Sequence, residues 1–182
     1  MSHTAVLADS TERWRSSTSR AIHSSAQCGS ESLLGAIASG LASVAVPWEL
    51  ANGESATERQ YELLITTEVY DAWLIHWPVG TGLDHHDHGE SAGAFAVVAG
   101  TLDEGVVDGG TTVTTRVDAG ESVVFGGGHV HAVVNRGEVA ATSVHVYSPP
   151  LASMGYYRQD IDGRLVAERF EAAGSWSVTP TR

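Results

Sequence analysis

One stretch of this chain has a clear helical period. Leu33, Leu34, Ile37, Leu41 and Val44 recur at helical spacing, and Pro47 stops the pattern. Ser30 stands where a cap would open that helix, and Ser55-Ala-Thr-Glu58 reads as a capping box for one further turn. From Tyr61 the period changes to two. Tyr61–Thr66 and Tyr70–Pro78 alternate and are rich in aromatic and β-branched residues, so they read as strands. Gly93–Glu104 carries Phe95, Val97 and Val98 as the next strand. Asp108-Gly109-Gly110 marks a turn into the threonine-rich strand Thr111–Val117. Ser122–Phe125, Val130–Asn135 and Val139–Ser148 continue the series, and Pro149-Pro150 ends it. Tyr156–Asp160 and Arg164–Phe170 flank Asp162-Gly163, a hairpin turn. Short strands separated by glycine turns predict an all-β fold, an antiparallel double-sheet jelly roll with short N-terminal helices. The mouth of such a barrel is a natural small-molecule site.

Residues 1–29 are rich in Ser, Thr, Ala and Arg and lack clear periodicity; they read as a loosely ordered arm with a short helix around Trp14. Residues 30–170 read as a single domain and 171–182 as a frayed tail. A chain of 182 residues is long enough to bury a real core. The formal charge is −12, and all ten basic residues are arginine. That acidity argues against nucleic acid or an anionic membrane as partner. The single cysteine, Cys28, has no internal disulfide partner, which fits a reducing compartment. No apolar run approaches the roughly 20 residues that span a bilayer. The N-terminus lacks the apolar core of a signal peptide. The expectation is a cytoplasmic monomer.

Candidate chemistry concentrates in Gly80–Gly100, which reads GTGLDHHDHGESAGAFAVVAG. On an extended segment His86 and His88 point one way, and His85 and Asp87 the other. Two imidazoles at i and i+2 bind one metal from the same side. A lone HxH is weak evidence, because surface turns are often rich in histidine. A second frame lies downstream: Gly120, then Gly126-Gly127-Gly128, then His131 and Asn135.

Together the two frames resemble the cupin motifs. The first normally reads G-x5-HxH-x(3,4)-E-x6-G; Gly80, His86, His88 and Gly100 fit it, and Gly93 stands at the glutamate. The second normally reads G-x5-PxG-x2-H-x3-N; Gly120, Gly128, His131 and Asn135 fit it, and Gly126 replaces the proline. A cupin site with three histidines and no carboxylate resembles the thiol dioxygenases, cysteine dioxygenase among them. The stretch Ser143-Val-His-Val-Tyr-Ser-Pro-Pro150 is similar to the SxHxYSPP signature of that family, in which Ser, His and Tyr form a hydrogen-bonded relay beside the iron. The resemblance covers about residues 57–160.

The resemblance assigns His86, His88 and His131 as metal ligands. Imidazole binds iron, zinc, copper and nickel alike, but three ligands on one face leave adjacent open positions, as non-haem Fe(II) uses with oxygen. Fe(II) is the implied cofactor. Without a carboxylate the site is more positive, which favours a thiolate. His85 reads as a surface residue, His76 as a polar strand residue, and His129 as the alternative to His131 that lacks an asparagine four positions on.

Ser143, His145 and Tyr147 alternate and so share a strand face. The resemblance makes them a relay; an amphipathic strand with that face in water is the bland reading. Vertebrate members have a cysteine where Gly93 stands, crosslinked to the tyrosine; bacterial members commonly have glycine. Tyr147 is therefore expected unmodified, and the Ser148–Pro149 bond cis.

Family members of the arginine type hold the substrate carboxylate with an arginine just before the strand leading to HxH. Ungapped counting from Trp77 places Gln60 there; other alignments place Glu62 or Leu63. Relatives that use other thiol acids carry glutamine. Arg59 reaches the site if the register slips, which turns Gln60 out, and Arg158 is another possible clamp. Arg59, Gln60, Tyr61 and Arg158 are the substrate-binding candidates. A broad thiol range and a high KM for cysteine are expected unless Arg59 or Arg158 enters the pocket.

The resemblance thus implies an iron-dependent dioxygenase adding O2 to the thiol of L-cysteine to give the sulfinic acid. The alternatives are the same reaction on another small thiol such as 3-mercaptopropionate, a zinc or nickel cupin isomerase, and a non-catalytic metal-binding cupin. An isomerase usually keeps the glutamate that is absent here, and a storage cupin has no need of the relay.

Overall fold

The computed structural model of the chain describes residues 33–48 and 57–172. The chain divides into two units, residues 1–30 and 31–182. The expected arm, the Ser30 cap and most of the capping box lie outside the described residues. All the described elements belong to the second unit. A helix, α1, covers residues 33–44. The strands are β1 Gln60–Thr66, β2 Asp71–Trp77, β3 Gly82–His86, β4 Ala92–Ala99, β5 Thr101–Asp108, β6 Thr111–Asp118, β7 Ser122–Phe125, β8 His131–Val134, β9 Ala141–Ser148, β10 Ser153–Gln159 and β11 Leu165–Ala172. They form two antiparallel sheets, ordered β1-β2-β9-β4-β7 and β11-β10-β3-β8-β5-β6. This is the jelly roll that the alternation predicts.

Two boundaries depart from the sequence reading. Gly93–Glu104 is not one strand: Gly100, at φ 73°, bends the chain between β4 of the five-stranded sheet and β5 of the six-stranded sheet. A Cβ at Gly100 would lie 2.7 Å from the Ala140 carbonyl oxygen, so the turn needs glycine. Residues 171 and 172 of the expected tail are strand, and residues 173–182 lie outside the described residues. β11 keeps pairing with β10 to Ala172, and the Tyr156 hydroxyl donates to Glu171 across the pair at 3.1 Å.

The central strands of the five-stranded sheet are buried on both faces, so β2 and nearly all of β9 are buried throughout. The sheet's outer face, including Leu74, Ala94, Ala96, Val144 and Val146, packs against Leu34 and Ala38 of α1 and against Trp48. Its inner face gives Trp73, Ile75, Trp77, Phe95 and Val97 to a core closed by Leu102, Val117 and Val133 of the second sheet. Asn135 ties strand ends together: its Nδ2 donates to the carbonyls of Trp77 at 2.8 Å and Val139 at 2.9 Å. The Ser148–Pro149 bond is cis.

Candidate metal centre and adjoining cavity

β3 ends at His86, so His88 lies beyond the strand in the adjoining turn. Asp87, between them, anchors that turn to β10. Its carboxylate accepts from the backbone N–H of Gly89 at 2.9 Å and of Gly155 at 3.1 Å, and from the Tyr157 hydroxyl. β3 pairs with β8, with His86 opposite His131. Both histidines therefore point into the barrel. One nitrogen each from His86, His88 and His131 lies within 4.8 Å of the others, and all three side chains are buried.

Two tautomers follow from the hydrogen bonds. His86 Nδ1 lies 2.7 Å from the Asp84 carbonyl oxygen. A carbonyl only accepts, so Nδ1 carries the proton and the Nε2 lone pair is free. His131 Nδ1 lies 2.7 Å from Glu104 Oε1, and its Nε2 is buried without a partner. His88 Nδ1 is also buried without a partner. Burial, then the neighbouring imidazoles, hold His86 and His88 well below 6.5; burial outweighs the adjacent Glu104 and lowers His131 too. Three neutral imidazoles, two of them (His88 and His131) with an orphaned buried nitrogen, fit a first-row transition metal. Glu104, His129 and His131 form a second group of possible ligands, which shares His131. His85 stands outside both, lining a groove on the far side of the second sheet with Asp103 and Thr112.

Ser143, His145 and Tyr147 on β9 face inward and are buried, so the solvated-strand reading does not describe them. Ser143 Oγ lies 2.9 Å from His145 Nε2, and His145 Nδ1 lies 3.2 Å from the Tyr147 hydroxyl. Trp77, which the sequence reading left as a strand residue, donates Nε1–H to Ser143 Oγ at 2.8 Å. Burial, aided by His131 and Arg59, lowers His145 to about 3, so it is neutral at physiological pH. Burial, then Asp71, pushes the Tyr147 hydroxyl well above 10 and keeps it a donor. Its ring centre lies 4.6 Å from that of His88. Gly93 pairs with both Phe125 and Tyr147.

A cavity of about 80 Å³ is bounded by His86, His145, Tyr147, Arg59 and Tyr61 among others, with Ile75, Leu83 and Leu151 as apolar walls. It is small beside the roughly 300–1,000 Å³ of drug-sized sites. Tyr61 pairs with Ile75, and Gln60 with His76. Alternation therefore turns Arg59 and Tyr61 inward and Gln60 outward, where His76 stacks on Trp48. Gln60 does not line the cavity, which corrects the ungapped alignment. Arg158 does not line it either: it is half-exposed and pairs with Glu168 at 3.0 Å. Arg59 has no carboxylate partner among the described residues, and burial lowers its pKa. Tyr156 and Met154 of β10, which the sequence reading did not single out, complete the wall.

The inward histidines in a jelly roll define a cupin-type metal centre. Residues 41–160 match the family described as cysteine dioxygenase type I. The chain belongs to that family. No curated protein matches the chain. Among solved structures, a double-stranded β-helix protein of Klebsiella pneumoniae is 22% identical over 64% of this chain and 90% of its own, with TM-score 0.49. A recombinant oxalate oxidase in complex with glycolate is 20% identical over 58% of each chain, TM-score 0.49. The Schizosaccharomyces pombe Cnp3 cupin domain is 15% identical over 54% of this chain and 70% of its own, TM-score 0.47. No helix among the described residues is long and apolar enough to cross a membrane.

Proposed function

We propose that this cupin metalloprotein is an Fe(II)-dependent thiol dioxygenase that converts a small thiol carboxylate, R–SH, and O2 to the sulfinic acid R–SO2H. L-cysteine is the first candidate substrate. The observation that carries this reading is one cavity lined by His86 of the three-histidine cluster, by Arg59 and by Tyr147. His86, His88 and His131 would hold the iron, which when bound supplies the electron transfer that activates O2. Arg59 offers a planar fork to the substrate carboxylate, and that anion gives a half-buried cation a charged partner. Ile75, Leu83 and Leu151 exclude water from the thiol. Tyr147, held by His145 and Ser143, keeps a proton beside the reacting sulfur and orients it by hydrogen bonding.

A second reading, the same reaction on an acid without an amino group such as 3-mercaptopropionate, is favoured by a specific feature. No carboxylate lines the cavity among the described residues, so an ammonium group finds no counter-charge there. Anaerobic loading with Fe(II), then oxygen uptake and sulfinate detection with cysteine, 3-mercaptopropionate and cysteamine, tests both. Oxygen uptake with cysteine or 3-mercaptopropionate, matched one-to-one by sulfinate, is expected. No sulfinate from any thiol would end the proposal.

A further inference from the structure

Glu104 is buried inside the barrel, on the inner face of β5 with Leu102. A carboxylate there is costly unless it is hydrogen-bonded. Its neighbours are two histidines of the β7–β8 segment. The His131 Nδ1–Oε1 distance is 2.7 Å; His129 Nε2 lies 3.8 Å from the same oxygen. The strand register produces this: Glu104 pairs with Val133 and Val106 with His131, so Glu104 and His131 are diagonal neighbours on one face. His129 stacks on Phe125, ring centres 5.5 Å apart, and its ring centre lies 5.1 Å from that of His131, but its nitrogens group with Glu104 and His131 and not with His86 and His88.

We propose that Glu104 is a positioning residue of the metal centre: it fixes His131 as the Nδ1–H tautomer with the Nε2 lone pair directed at the ion, and so makes His131, not His129, the third ligand. The two possible ligand groups then differ in use. His131 has one ring nitrogen for Glu104 and one for a metal, and an ion between Glu104 and His129 would claim the wrong one. A carboxylate behind a metal-bound imidazole fixes ring orientation and raises its basicity. The chain has no carboxylate at Gly93 for direct coordination, so Glu104 supplies negative charge from one bond further out. This inference rests on the proposed three-histidine metal centre, not on thiol oxidation.

The test uses metal-free, 15N-histidine-labelled protein and Co(II) as probe, with neither thiol nor oxygen. Long-range 1H–15N spectra of the parent are expected to show His131 protonated at Nδ1; protonation at Nε2 overturns the proposal. Glu104→Leu is expected to lose that tautomer and to bind Co(II) roughly 10–100-fold more weakly. Glu104→Gln, whose amide oxygen still accepts, is expected to lose less. A folded Glu104→Leu that binds Co(II) as tightly as the parent overturns it; if that variant does not fold, the parent tautomer decides. His129→Ala is expected to bind Co(II) like the parent. A loss as large as that of His88→Ala would place the ion among Glu104, His129 and His131 and overturn the assignment. Failure to oxidise thiols would leave these readouts untouched.

Discussion

The Arg59 guanidinium carbon lies 5.2 Å from the centre of the Trp77 ring and 5.9 Å from that of Tyr61. Two aromatic faces thus steady a half-buried cation that has no carboxylate partner among the described residues. With Arg59 in the cavity, the condition set for a broad thiol range no longer holds, and preference for thiol acids is expected instead. Arg59→Ala should raise KM for cysteine and 3-mercaptopropionate about 10–100-fold, the value of a charge-assisted hydrogen-bonded pair. Cysteamine, which has no carboxylate, should be turned over unchanged. Steady-state kinetics with the three thiols checks this, and an equal loss on cysteamine would show that Arg59 serves packing alone.

The placement of Arg59 shows where the sequence was legible and where it was not. Strand alternation and glycine spacing marked most strands and drew attention to His86, His88 and His131. Counting along the chain misplaced the cation, because it ignored pairing. Once Tyr61 lies opposite Ile75, Arg59 must share its face. Glu104 escaped for a similar reason. Its partner His131 is 27 residues away, and only the β5–β8 register brings them together. Alternation with Leu102 was the available signal. Trp77 had no signal as a donor, since the indole N–H is satisfied across strands by Ser143.

Gly93 is held to glycine by its neighbours. A Cβ there would sit 2.5 Å from Phe125 Cε2 and 3.0 Å from Tyr147 Cδ1. Gly93→Cys should therefore destabilise by about 1–3 kcal/mol through overpacking, without forming a thioether to Tyr147. Thermal unfolding and intact mass check the two halves. A mass lower by two hydrogens in the iron-loaded variant would show that Phe125 gives way.

The relay on β9 predicts different behaviour for its two ends. Tyr147→Phe removes one hydroxyl at the cavity, and should lower kcat about 100-fold or more while leaving Co(II) affinity intact. Ser143→Ala leaves Trp77 Nε1 and His145 Nε2 without their shared partner. It should cost about 1–3 kcal/mol of stability as well as rate, the penalty of buried unsatisfied donors and acceptors. Denaturant melts alongside single-turnover sulfinate formation separate the two. Equal loss of metal and rate in Tyr147→Phe would make Tyr147 structural.

Acid should unfold the metal-free protein earlier than carboxylates alone would. Burial, ahead of any neighbouring charge, lowers His86, His88, His131 and His145 in the folded protein from 6.5, and His145 reaches about 3. The unfolded chain binds protons at these sites below 6.5 while the folded chain resists, so stability rises with pH and is lost as pH falls from 6.5 toward 3. Glu104 adds to the same slope lower down. Burial alone would raise it, but the imidazoles of His129 and His131 prevail and hold it at about 2, against 4.5 when unfolded. Each proton so withheld is worth about 1.4 kcal/mol per pH unit. Urea midpoints between pH 7 and 4 should fall steeply for the parent and less steeply for His145→Gln, which deletes one titrating site. A midpoint that is flat from pH 6.5 to 5 would mean that the buried histidines take up protons as readily folded as unfolded.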